Sequence, residues 1–222
     1  MPPRSSVRPF AAAAALIGWS ALAAQLYLSL RMGLANGNGI ARSLAVYIGY
    51  FTILTNVLVA SALTAAATTS GASAPTRLAA FFTRPGVNTA IAVYIIVVGI
   101  TYSLLLRHIW EPQGLQWIVD VVLHDLMPVL FLVYWWFAVP THSVRWPDIA
   151  PWLAYPAGYF AYSMASGVVL GRYPYPFLDV GEFGYGRVLV NGIGMLIGFI
   201  VVAAVLVALG RSRARAVART AR

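Results

Sequence analysis

Long stretches of this chain carry no charge, and this constrains its fold more than any motif. No Asp, Glu, Lys or Arg lies between Arg8 and Arg31, Arg42 and Arg77, Arg84 and Arg107, or Arg187 and Arg211. A helix that crosses a bilayer needs roughly 20 apolar residues, and a charge at its centre is costly. Each of these gaps is long enough. Only 9% of the residues are charged, against about 25% in soluble domains. The pattern predicts an all-α polytopic membrane protein with six spans, at about 10–30, 43–67, 87–106, 117–138, 149–169 and 188–209. Six spans nearly exhaust 222 residues, so residues 1–210 read as one transmembrane domain and 211–222 as a basic tail. Arg4 and Arg8 ahead of the first apolar run imitate a secretory leader. The run is longer than a leader's apolar region of about 7–15 residues, so it reads as an anchor.

The fifteen basic residues are all arginine, and with six acids they give a net charge of +9. In a soluble domain that excess suggests nucleic acid. Here Arg211, Arg213, Arg215, Arg219 and Arg222 follow the last span, where anionic lipid head groups are the expected contact, and no nucleic acid is expected. With the amino terminus inside, Arg4, Arg8, Arg77, Arg84, Arg145 and the tail lie on the inner side. Arg31, Arg42, Arg107, Arg172 and Arg187 lie outside. This asymmetry predicts that both termini are cytoplasmic. Arginine without lysine, beside alanine-rich runs, suggests a high-GC bacterial genome and hence the bacterial cytoplasmic membrane. There is no cysteine, which excludes disulfides, iron–sulfur clusters and thiol catalysis.

Against this apolar background the polar residues stand out. Span two contains "YFTILTN", residues 50–56, and span four contains "VDVVLHDLMP", residues 119–128. Both spans run inward. At 1.5 Å per residue, Thr52 lies roughly 13 Å and His124 roughly 10 Å below the outer surface. Asp120 is one turn from His124 on the same face, and Asn56 is one turn from Thr52. Asn191, Thr101, Tyr102, Ser163 and Ser166 fall at the outer ends of their spans, while the inner halves are nearly all apolar. A threonine in a membrane helix commonly bonds its own backbone, and an asparagine commonly joins helices. Those structural readings stand beside the functional one for Thr52, Thr55 and Asn56. His124 is harder to read as structural, because an ionisable group inside a span is a functional candidate. Asp125 points away from His124. His108 and His142 fall in loops. Pro128 removes the helical donor of the His124 carbonyl and predicts a kink there.

Before the last span, "GRYPYPFLDVGEFGYGR", residues 171–187, is aromatic and stiffened by Pro174 and Pro176. It reads as a lid over the outer end or as an interfacial loop. Arg172 and Arg187 are candidate partners for Asp179 and Glu182. Gly194 and Gly198, and Ala157, Ala161 and Ala165, are spaced for close helix packing. A zinc site from His108, His124 and Asp120 is conceivable, but bis-histidine haem lacks a second deep histidine. No metal or cofactor is expected. There is no G-x-S-x-G and no phosphate loop.

In this order on a six-span chain, "YFTILTN", "LHDLMP" and "YPYPFLDV" resemble the androgen-induced-gene-1-like family and its bacterial relatives. The resemblance covers most of the chain. It implies a membrane hydrolase that cleaves lipid esters, such as fatty acid esters of hydroxy fatty acids. By motif position it also implies Thr52 as nucleophile and His124 as its partner, and the chain departs from the animal pattern at Thr55 and Asn56. A threonine hydroxyl needs a base to remove its proton, and neutral imidazole serves. Asp120 is then the candidate to orient the ring, and Asn56 or Asn191 the candidate oxyanion donor. The alternative is a membrane protein that binds or transports a small lipophilic ligand, with His124, Asp120 and Asp125 carrying protons.

Overall fold

A computed structural model of the protein describes residues 4–69, 75–140 and 143–220. Among these the structure is all-helical. Helix α1 spans Arg4–Ala35, α2 Ile40–Ile48, α3 Phe51–Thr68, α4 Arg77–Phe82 and α5 Pro85–Thr101. Then come α6 Leu115–Val121, α7 Met127–Ala138, α8 Ile149–Trp152, α9 Ala154–Leu170 and α10 Val180–Thr220. Wide π turns extend α5 through Tyr102–Leu106 and join α6 to α7 through Val122–Leu126. Five helical segments are long and apolar enough to cross a membrane: Val7–Ala35, Phe51–Thr68, Pro85–Leu106, Leu115–Ala138 and Val180–Ala214. The segment expected at 149–169 is helical as α8 and α9. Helix α9 has 17 residues, roughly 26 Å at 1.5 Å per residue.

The outside of the bundle carries many large apolar side chains. Leu16, Leu104, Val168 and Val169 are each more than 65% exposed, a surface that water does not tolerate over such an area and lipid does. Inside, Trp135, Phe131, Met127, Leu63 and Ile95 are fully buried among α3, α5 and α7. Helix α1 packs along α3, and α5 packs against α3, α7 and α10. Trp135 Nε1 donates to Thr89 Oγ1 at 3.0 Å and Tyr94 hydroxyl to the Trp152 carbonyl at 2.6 Å, so these two buried donors are satisfied within the bundle.

Local sequence explains the breaks. Pro85 opens α5 at a position where its missing N–H costs nothing. Gly171 closes α9 in the left-handed conformation (φ 67°). The expected second span, 43–67, is not one helix: α2 stops at Gly49, and Tyr50 is extended (φ −87°, ψ 128°) before α3 begins. A Cβ at Gly49 would lie 3.0 Å from the Val46 carbonyl oxygen, so the tight end of α2 favours glycine.

The small-residue patterns behave differently from their expectation. A Cβ at Gly194 or Gly198 would meet nothing within 4 Å, and Ala157, Ala161 and Ala165 are exposed. These residues are not close-packing positions, because no neighbouring helix is pressed against them. Close approach occurs instead at Gly167 against Tyr173 and at Gly192 against Phe160. The basic stretch after residue 210 continues α10 as helix to Thr220. His142 and Arg222 lie outside the described residues.

Candidate functional site

The break between α2 and α3 decides where Thr52 stands. Thr52 is the second residue of α3, in its first turn. The first backbone N–H groups of a helix have no partner within it, and α3 has no side-chain cap. The Thr52 N–H instead lies 3.3 Å from the Tyr175 hydroxyl oxygen. The positive end of the α3 dipole therefore lies beside the Thr52 side chain, where negative charge is favoured. Thr52 is 7% exposed.

Thr52 Oγ1 is 3.3 Å from His124 Nε2. On the far side of the ring, His124 Nδ1 is 3.0 Å from the Asp120 carbonyl oxygen and 3.3 Å from Asp120 Oδ1. Two oxygens at Nδ1 favour a proton on that nitrogen, and in the neutral ring this turns the Nε2 lone pair toward Thr52. The His124 ring also stacks on Tyr102, with centroids 4.0 Å apart and planes 16° from parallel. The Tyr102 hydroxyl donates to Asp120 Oδ2. The Arg107 guanidinium lies 4.9 Å from the centre of the Tyr102 ring and pairs with Asp125. Asp120 is 6% exposed, and this buried carboxylate is answered by Tyr102 and the imidazole, as the cost of burial requires.

Both aromatic rings sit on the π turns, at Tyr102 and His124. Such turns are rare and recur at functional sites. Pro128 accounts for the second: without its N–H, the helix has lost a regular bond at the His124 carbonyl, and it widens just before the proline. That carbonyl is close to α5, where a Cβ on Gly99 would lie 3.1 Å from it and 3.4 Å from Pro128 Cγ. We find no residue pattern that accounts for the first π turn.

The other predicted residues part into neighbours and supports. Asn56 Nδ2 donates to the carbonyls of Thr52, at 2.9 Å, and Leu123, at 3.2 Å. Asn191 Nδ2 donates to the Phe177 carbonyl at 2.9 Å. Asn56 uses both of its amide hydrogens on the Thr52 and Leu123 carbonyls, which leaves none for an oxyanion. Asn56 ties α3 to the π turn that carries His124, and Asn191 ties α10 to the loop after α9. Thr55 Oγ1 pairs with the Tyr155 hydroxyl at 3.2 Å, away from His124. Ser163 is buried and Ser166 bonds its carbonyl; neither borders the space around Thr52. Arg172 and Arg187 do not pair with Asp179 or Glu182 among the described residues. Arg172 donates to the Tyr50 hydroxyl, and Asp179 Oδ1 accepts the backbone N–H groups of Gly181 and Glu182 as a cap on α10. His108 is exposed, and no three His, Cys, Asp or Glu side chains gather for a metal among the described residues.

Tyr175 is the residue that sequence reasoning missed. It sits in the stiff Tyr-Pro-Tyr-Pro run, which was legible as a lid but not as a donor. Its hydroxyl lies 3.4 Å from Thr52 Oγ1 as well as 3.3 Å from Thr52 N. Its ring stacks on Phe177 at 5.2 Å. Burial pushes the phenol up to about 12, so it keeps its proton.

Two cavities meet at this cluster. One, of about 480 Å³, is bordered by Asp120, His124, Gln25 and Arg172. The other, of about 230 Å³, is bordered by Val97, Phe160, Leu178 and Phe199. Thr52 and Tyr175 border both. The chain matches no protein-family model, no curated protein and no solved structure with which it was compared.

Proposed function

We propose that this protein is an intramembrane hydrolase of lipid esters, with Thr52 as nucleophile and His124 as general base. The observation that carries the reading is the 3.3 Å approach of Thr52 Oγ1 to His124 Nε2, with Asp120 behind the ring at Nδ1. A nucleophile, a base and an orienting carboxylate in line are the requirement for activating a hydroxyl.

The chemistry proceeds in two halves. His124 Nε2 takes the Thr52 proton as Oγ1 attacks the ester carbonyl. The carbonyl oxygen becomes an oxyanion beside the first turn of α3, where the Tyr175 hydroxyl, itself accepting the Thr52 N–H, is the candidate donor. Preorganised donors of this kind supply a large share of catalysis. His124 then gives its proton to the departing alcohol, which leaves the acyl group on Thr52. Water repeats the sequence and releases the carboxylic acid.

Esters of membrane lipids fit a site inside an apolar bundle, and fatty acid esters of hydroxy fatty acids are one such group. The proposal includes six spans, with α9 as the fifth of them in chain order, both termini on the cytoplasmic side, and residence in a bacterial cytoplasmic membrane. The test is ester hydrolysis by the purified protein in nanodiscs. Turnover that is lost in both Thr52→Ala and His124→Ala, and kept in part by Thr52→Ser, supports the reading. Turnover unchanged in Thr52→Ala overturns it.

A further inference from the structure

The two cavities that meet at Thr52 differ in what lines them. The smaller is walled by Val97, Val98, Phe160, Leu178 and Phe199. The larger is the more polar of the two: on a wall that also holds Leu28, Met32, Ile53 and Trp110, it carries Gln25, Ser29, Asn38, Asp120, His124 and Arg172. Thr52, Tyr102, Leu106 and Tyr175 form the wall between them, since all four border each cavity. His124 borders the polar cavity alone.

That asymmetry has a chemical consequence. In acyl transfer to a hydroxyl, the group that takes the nucleophile's proton passes it to the leaving alcohol. The alcohol oxygen must therefore come within hydrogen-bond reach of His124 Nε2. His124 borders the more polar cavity and not the apolar one. The acyl carbon, held at Thr52 Oγ1, must then carry its chain to the other side of the wall.

We infer that the ester lies across this wall, with its acyl chain in the apolar cavity and its alcohol half in the polar one. The inference rests on the hydrolase reading above and adds the substrate class: an apolar acyl chain joined to an alcohol that carries polar groups. In the first half-reaction the Thr52 oxygen bonds the acyl carbon and the bond from that carbon to the alcohol oxygen breaks. The alcohol takes the proton from His124 and leaves through the polar cavity. Water enters by the same route and gives one proton to His124. Its oxygen bonds the acyl carbon as the Thr52 ester breaks, and the proton returns to Thr52 Oγ1. The apolar chain stays in its own cavity throughout.

The experiment uses the full chain in nanodiscs with two ester series. One varies acyl length on glycerol, and the other varies the bulk of the alcohol on a fixed acyl chain. Ile193, 51% exposed, and Ala157 border the apolar cavity; Ser29 and Asn38 border the polar one. Ile193→Trp is expected to lower kcat/KM for long acyl chains relative to short ones by at least about tenfold, the scale of small steric changes in a pocket. It should leave the alcohol preference unchanged. Ser29→Trp is expected to do the reverse. Ala157→Phe and Asn38→Trp repeat the comparison if either first variant fails to fold. The converse pattern, or one pattern shared by both cavities, with turnover still dependent on Thr52, overturns this assignment alone. No Thr52-dependent turnover of any ester overturns the hydrolase reading and the assignment with it.

Discussion

Tyr175 and Asn56 touch the same helix end and play opposite parts. Tyr175 places a protonated phenol against Thr52 N and Oγ1. Tyr175→Phe keeps the ring and its stacking on Phe177 while removing the donor. Turnover should fall by about 10²–10³, the loss typical of one oxyanion donor, with KM and melting temperature little changed; steady-state kinetics and a thermal melt check this. Asn56 donates to two carbonyls and lies fully buried. Asn56→Leu leaves both carbonyls without that donor and should cost about 1–3 kcal/mol, read as a lower melting temperature. The sequence marked Thr52, His124 and Asp120 for attention because polar groups at one depth in an apolar chain are conspicuous. It did not separate them from Asn56 and Asn191. An amide that bonds a carbonyl and an amide that faces a cavity look alike until the backbone around them is known. Tyr175 was hidden for another reason: an aromatic residue near a membrane surface has an ordinary explanation already.

At the scale of elements, the site depends on interruptions in helices. The Thr52 N–H lacks a helical acceptor and meets the Tyr175 hydroxyl only because α2 ends at Gly49 and α3 starts anew at Phe51. The hydropathy of residues 43–67 is continuous across that break, so apolar patterning reads one span. Pro128 did signal a disturbance near His124, which takes the form of a π turn. Gly99 lets α5 come close to that turn. Gly99→Val would drive its side chain toward the His124 carbonyl and Pro128. The expected cost is about 1–3 kcal/mol of overpacking, together with a loss of turnover larger than the fraction unfolded explains, because His124 is displaced from Thr52. Parallel melting and activity measurements distinguish the two effects. The glycine and alanine repeats misled for a geometric reason. Spacing fixes which residues share a helix face, but not whether that face meets another helix or the lipid.

For the whole molecule, the fold class was legible and the arrangement was not. Charge-free runs dictate apolar helices wherever they occur, and the all-helical bundle with its apolar exterior follows from them. Which ends share a side depends on arginine counts alone. The chain has no cysteine, so single introduced thiols report orientation cleanly. Asn38→Cys and Ser212→Cys should label from opposite sides of sealed vesicles with a membrane-impermeant maleimide; labelling from one side contradicts six spans with an inside amino terminus.

Covalent trapping tests whether Thr52 is an activated nucleophile. Membranes containing the protein are treated with a small fluorophosphonate, and the modified residue is located by peptide mass spectrometry. One adduct is expected, on Thr52, absent in Thr52→Ala, strongly reduced in His124→Ala and retained in Thr52→Ser. An adduct on another residue, or labelling of Thr52 that is indifferent to loss of His124, contradicts an activated Thr52.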